Sequence, residues 1–270
     1  LGGDMFRGLV GVLDFQLAKG FLFDDDAAGF KAIFNPAQGV YLPLIHIKAN
    51  EGGMGKDAND GDVNAWVLYP TIFLSKDLKL KPHVAWLTSE NYQAYEVGFG
   101  RLQAEKGLPG VGAIDLFTFG LELDGLVGPV DLGLTGIYET GTIEDVPLGP
   151  GINKDFDVDA YLLAASAGMD FGPVNVHGQA IYASGDDEQD TDLKAFINPV
   201  GASYYWSEIM GLGIFDYDWC NGAPGDQISN LMAFNLGAST TVMDKVKLSL
   251  DVWYADRKST RLNSSHVSQS

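Results

Sequence analysis

The fold the sequence predicts is all-β: an antiparallel, up-and-down transmembrane barrel, incomplete, with about eleven strands present. Three observations predict it. Segments mostly about 9–11 residues long carry strand periodicity, the connections between them alternate short and long, and no apolar run reaches the about 18 residues a membrane-spanning helix needs.

Taken along the chain, the strands are expected near 6–17, 29–34, 40–49, 63–74, 80–88, 114–123, 130–139, 156–169, 174–184, 230–242 and 246–255. The last is the cleanest, with Val246, Leu248, Leu250, Val252 and Tyr254 on one side and Lys247, Ser249, Asp251 and Trp253 on the other. The short connections are 35–39, 75–79, 124–129, 170–173 and 243–245, and the long ones are 18–28, 50–62, 89–113, 140–155 and 185–229. Antiparallel neighbours joined in this order put every short turn at one end and every long loop at the other, as in a membrane barrel. An internal echo marks the hairpin unit: "GPVDLGLTGIYETG" and "GPVNVHGQAIYASG" recur 44 residues apart. A propeller blade would need four short strands per repeat, and this unit supplies two long ones.

Composition narrows the partners. Lys and Arg total 17 against 36 Asp and Glu, a net charge of −19, which argues against a nucleic-acid partner because phosphate binding needs a basic surface. The single cysteine, Cys220, excludes an intrachain disulfide framework, and no Cys/His spacing suits zinc. No charged segment followed by an apolar one precedes the first strand, and the chain begins at Leu1, so the expectation is a processed or truncated N-terminus.

Alternation alone does not separate a soluble sandwich from a membrane wall, but the aromatics help, because Trp and Tyr collect where strands meet the headgroups. Trp86, Tyr138, Tyr182 and the Trp253–Tyr254 pair end strands before a long loop or the break in pattern, forming one girdle, and Phe73 and Phe171 precede short turns as a second. With these facing lipid, Leu80, Val84, Leu132, Leu134, Val174, Val176, Ala180, Val246, Leu248, Leu250 and Val252 point outward. Lys81, His83, Asp131, Thr135, Asn175, His177, Gln179, Lys247, Ser249 and Asp251 then point inward, and a wet channel would let charges of both signs line it without special pairing.

Candidate chemistry is sparse. His46, His83 and His177 stand on different strands without a nucleophile motif, so no catalytic residue is assigned. "EGGMGKDANDGD" lacks the strand–loop–helix context and Gly-Lys-Ser/Thr ending of a phosphate loop. "GDDEQDTD" brings Asp186, Asp187, Glu188, Asp190 and Asp192 together, enough hard oxygens for calcium, with a solvated acidic loop as the competing reading. No other cofactor is implied.

Loop 185–229 is too rich in large aromatics to leave in water. A short helical turn is expected around Glu208, ending at Gly211. The loop is then expected to fold inward over the mouth as a constriction carrying Tyr204, Tyr205, Trp206 and Met210, with the acids lining the entrance and favouring cations or neutral solutes, and an outward-facing loop at a trimer or surface contact is the competing reading.

"YASGDDEQDTDLKAFINP", "SYYWSEIMGLGIFD" and "NLMAFNLGASTTVMDKVKLSLDVWY" together resemble the alginate-export type of outer-membrane barrel and its porin-like relatives, over roughly 75–255. The resemblance implies passive passage of solutes, in some members an anionic polyuronate. Residues 256–270 resemble, residue for residue, the translation of a common sequencing adapter, so the native part is expected to be a partial barrel domain over 1–255 followed by a non-native tail. The expected function is a porin-like channel for small hydrophilic solutes, monomeric or homotrimeric, in the lipid of a Gram-negative outer membrane. The alternatives are an outer-membrane hydrolase with its site at the extracellular rim and a soluble glycan-binding β protein.

Overall fold

The computed structural model describes residues 5–50, 62–90, 113–149, 152–185, 192–197, 204, 228–242 and 246–257. One twelve-stranded sheet contains β1 (Phe6–Leu17), β2 (Phe23–Ala37), β3 (Val40–Asn50), β4 (Val63–Leu68), β5 (Thr71–Phe73), β6 (Leu78–Ser89) and β7 (Ile114–Val127). It continues through β8 (Val130–Gly149), β9 (Ile152–Phe171), β10 (Val174–Ala183), β11 (Leu231–Val242) and β12 (Val246–Arg257). Neighbours in sequence are antiparallel neighbours in the sheet, so the topology is up-and-down.

β4 and β5 are halves of one crossing, since both pair with β3 and with β6. The break falls at Tyr69-Pro70, because proline has no N–H to give the ladder. Counting the two halves once leaves the eleven strands of the main path. Among the described residues β1 pairs only with β2 and β12 only with β11, so both flanks are open edges.

The recurring Gly-Pro-Val has a direct physical reading. Gly128 and Gly172 hold φ of +64° and +63°, the positive first position that a two-residue type II′ hairpin turn requires, and the proline that follows supplies the fixed negative φ. A side chain would strain either glycine.

Two expected long loops are mostly strand. The segment 18–28 shrinks to a kink at 18–22, because Asp24, Asp25 and Asp26 lie on β2 opposite Gln16, Phe15 and Asp14 rather than in a solvated loop. The segment 140–155 is the top of a 20-residue pair, β8 and β9, which stay hydrogen-bonded up to Gly149 and Ile152. The alternation of short and long connections therefore holds at the short-turn end and fails twice at the other. At the C-terminal side β12 runs to Arg257, two residues past the expected end, pairing Asp256 and Arg257 with Met232 and Leu231. The rest of the tail, including 263–267, lies outside the described residues.

The outward face is apolar and bare. Leu134, Val246, Leu248, Leu250 and Val252 are exposed, and the described residues contain no second sheet against which they could pack. Trp66 and Trp86 stand directly opposite each other, followed outward along the wall by Phe117, Tyr138, Tyr161, Phe234 and Tyr254. Phe6, Phe34 and Phe171 mark the opposite boundary. From Val246 to Tyr254 β12 rises about 27 Å along its axis, which a tilt of about 40° reduces to about 20 Å, close to the apolar band of a membrane barrel. Phe73 departs from its expected place: it pairs with Lys79 and touches Tyr41 across 6.0 Å on the inner side of the short-turn mouth. His46 stands outside, between Phe30 and Trp66.

Candidate functional site

The inner face is divided along its height. Toward the long-loop end its side chains are apolar and packed: Ile45, Ile47, Ile137, Leu162 and Ile181 surround Phe15, Phe21 and Phe196 in one cluster. Toward the short-turn end of β6–β12 they are mostly polar. The polar side chains expected to line the inner face are therefore found mainly in its lower half.

A plug built from two segments fills the upper half. The first is the kink after β1, where Ala18 and Lys19 take positive φ of 49° and 59°, turning the chain inward so that Phe21 and Leu22 are buried. The second follows β10. Leu193 joins the upper edge of β9, accepting from Asp159 N–H at 3.0 Å and donating to the Asp157 carbonyl at 2.7 Å, and thereby covers an edge that β10 leaves free. Beyond it Ala195, Phe196 and Ile197 are buried, and the Ile197 N–H donates to Glu139 Oε2 at 2.8 Å. Tyr204, from the loop expected to constrict the mouth, stacks on Phe21 with centroids 4.1 Å apart and donates its hydroxyl to Gln179 Oε1 at 2.7 Å. Burial pushes the Tyr204 phenol up to about 12. Tyr205, Trp206 and Met210 lie outside the described residues, as do Asp186, Asp187, Glu188 and Asp190. Asp192 is described, and no group of three or more potential metal ligands forms among the described residues.

Under the plug, the inward charges are paired. Glu122, 0% exposed at its side chain, accepts from the Tyr69 hydroxyl and lies 3.7 Å from Lys81 Nζ and 3.9 Å from His83 Nδ1. Lys81 also meets Asp124 at 3.4 Å, and Lys19 reaches down from the kink to Asp124 at 2.6 Å. The Tyr69 oxygen receives the Ala18 N–H at 3.1 Å, so the wall holds the plug by both backbone and ion pair. Gly120 is required here, because a Cβ would collide with the His83 ring. His83 and Thr135 are thus buried in the wall beneath the plug rather than bathed by a channel. Pairing was expected to be unnecessary. It is needed because the packed upper half removes water from these charges, and an unpaired charge in such a place is costly.

The lower inner face is a second network. His177 Nε2 lies 2.9 Å from Asp251 Oδ1 and Nδ1 lies 3.0 Å from Asn175 Oδ1. Asp251 further accepts from Asn235 at 3.2 Å and from Ser249 at 2.9 Å, over Gly237, whose missing side chain leaves room for the bridge. Serine, histidine and aspartate meet here, but the carboxylate stands in the middle and the serine hydroxyl donates to it. A hydrolytic triad needs the histidine on the hydroxyl. Lys247 is exposed on this same face. Between the two networks lies a cavity of about 390 Å³ whose lining includes Lys19, Asp124, Asp131, Ser166, His177 and Gln179.

Sequence reasoning missed Lys19, Tyr69, Glu122, Asp124 and the first segment of the plug, the kink at 18–22. Lys19 offered one signal: it is a lone cation in the otherwise apolar stretch "LAKGFLF".

No family model and no curated protein matches the chain. Solved structures do. OccK5 (OpdH) of Pseudomonas aeruginosa superposes with a TM-score of 0.51 at 13% identity, over 94% of this chain and 62% of that one. OpdK of the same organism, solved with vanillate, gives 0.47 at 12% identity over 88% and 55%. A loop-deleted OmpT, an outer membrane protein of Vibrio cholerae, gives 0.45 at 10% over 93% and 69%. The chain spans less than two thirds of the length of the first two. The likeness to OccK5 shows the fold, an antiparallel up-and-down wall of the outer-membrane β-barrel type.

Proposed function

We propose that the chain forms part of a porin-like channel in the outer membrane of a Gram-negative bacterium, passing small hydrophilic solutes through a lumen narrowed by its own plug. One observation carries this reading: a single sheet bears an apolar, aromatic-bounded face on one side and paired charges, a polar cavity and a packed plug on the other. Lipid contacts the first face and solute the second. No described residues assemble a nucleophile with a base, which favours passage over hydrolysis. Polyuronate export, the finer implication of the sequence resemblance, receives little support: of the inner cations, Lys19 and Lys81 are both held by carboxylates, which leaves Lys247 exposed on that face to meet a polyanion.

Liposome swelling tests the reading. The protein folded into vesicles is expected to admit monosaccharide-sized sugars and to exclude oligosaccharides of several units. Vesicles that stay impermeable to the smallest sugars would end it.

A further inference from the structure

The cavity beneath the plug has a recognisable chemical bias. Its floor follows two rows of inward positions: Asp124, Gly133, Ser166, Gln179 and Asn235 in one, and Asp131, Gly168, His177, Gly237 and Asp251 in the next. Within these rows Gly133 and Gly168 carry no side chain, so the wall recedes just where Asp131 and Ser166 border the space. Asp131 and His177 sit on strands two apart, about 10 Å from each other across Gly168. The opening of about 390 Å³ equals the share of liquid occupied by roughly a dozen waters, which fits a molecule the size of a monosaccharide.

Most of the lining is already committed. Lys19 is on Asp124 at 2.6 Å, so this pair cancels. The His177 ring faces Asn175 and Asp251, and Asn175 donates to Asp170 at 2.8 Å. The Gln179 carbonyl oxygen is taken by Tyr204. The groups left are the Asp131 carboxylate, the Ser166 hydroxyl and the Gln179 amide N–H groups. Among the described residues of this lining, Asp131 carries the only formal charge that no neighbour neutralises, and it is negative.

We propose that this cavity is a binding subsite for a small polyhydroxylated amine, with the ammonium group on Asp131 and hydroxyl or carbonyl oxygens on Ser166 and Gln179. The proposal rests on the channel reading for its purpose but not for its test. An ammonium would gain a charge-assisted hydrogen bond on Asp131, which stands exposed at the border of the cavity and is open to an incoming solute. A carboxylate of the same size would face Asp131 with no free cation to offset it.

The test uses three probes of similar size, glucosamine, glucose and gluconate, titrated calorimetrically into the full chain folded in detergent micelles. Glucosamine is expected to bind at least about tenfold more tightly than glucose, with gluconate weakest, the contrast that one charge-assisted bond supports. The Asp131→Asn variant should bring glucosamine down to the level of glucose, and Asp131→Lys should reverse the order in favour of gluconate. Heat-modifiable migration on gels checks that each variant folds, and the charge series on the unaltered protein stands without any variant. Equal binding of the three probes, no binding of glucosamine, or an Asp131→Asn variant that binds it undiminished overturns the subsite. Binding that depends on Asp131 in a protein that passes no solute would instead retain the subsite and remove the channel reading.

Discussion

Truncating Phe21 to alanine isolates the plug from the wall. Phe21 is 1% exposed, its ring stacked at 4.1 Å on Tyr204 with only 9° between planes. Removing a ring from such a place leaves a cavity that its neighbours, Phe15 and Phe196 among them, fill only in part, and the usual cost is about 3–5 kcal/mol, of which the stack itself contributes about 0.5–1.5 kcal/mol. Phe234 is the matched control. It is 46% exposed on the outer face opposite Tyr254, where acyl chains or detergent move into the vacated space, and lipid tails are as apolar as the ring they replace. Its truncation should therefore cost under about 1 kcal/mol. Urea titration of both variants in micelles, followed by tryptophan fluorescence, measures the difference, since Trp253 packs against the plug cluster. A Phe234→Ala variant that loses as much stability as Phe21→Ala would mean that the two faces have been assigned the wrong way round.

Three further outcomes are expected. Gly120→Ala should lower the yield of folded protein or cost about 1–3 kcal/mol, because the new Cβ meets the buried His83 ring, and a heat-modifiable gel shift of normal yield would contradict this. Lys19→Met leaves Lys81 as the single cation opposing Glu122 and Asp124, so reversal potentials across a salt gradient should move toward cation selectivity, and a shift toward anions would show that Lys19 does not face the solute path. Leu250→Arg, on the outer face and midway along β12, should destabilise folding into lipid by about 2–4 kcal/mol, whereas Ser249→Arg on the inner face should cost far less, as read by folding titrations in vesicles.

The parity of the wall was legible because it is written locally: Val246, Leu248, Leu250 and Val252 alternate with polar residues, and a one-residue slip would place every one of them on the wrong side. The turns were legible too, since Gly-Pro announces its own geometry. What stayed hidden depends on contacts across space. Asp24, Asp25 and Asp26 looked like a solvated loop, yet they extend β2 because β1 offers them a complete partner. Ile143, inside a segment read as a loop, gave no outward reason to continue β8, and it is buried in one cluster with Phe156, Val158, Leu193, Ala195 and Ile197. The inner face read as uniformly polar because the residues considered, Lys81, Asp131, His177 and Asp251, lie mostly in its lower half. The apolar upper half is a response to Phe21 and Phe196, whose positions no strand pattern reveals.

The two open flanks constrain how such a wall reaches a membrane. Each is twelve residues long, with alternate backbone N–H and C=O groups of β1 and β12 turned away from the sheet. Every such group left bare in hydrocarbon costs several kcal/mol, a sum far beyond what the apolar outer face recovers at its margins. Saturation of these flanks by hydrogen-bond partners is thus a condition of the wall's entry into hydrocarbon. In water, the same flanks are adhesive toward other copies of themselves. Refolding therefore becomes a race between pairing of each strand with its own neighbours in the wall and self-association, and high dilution favours the former.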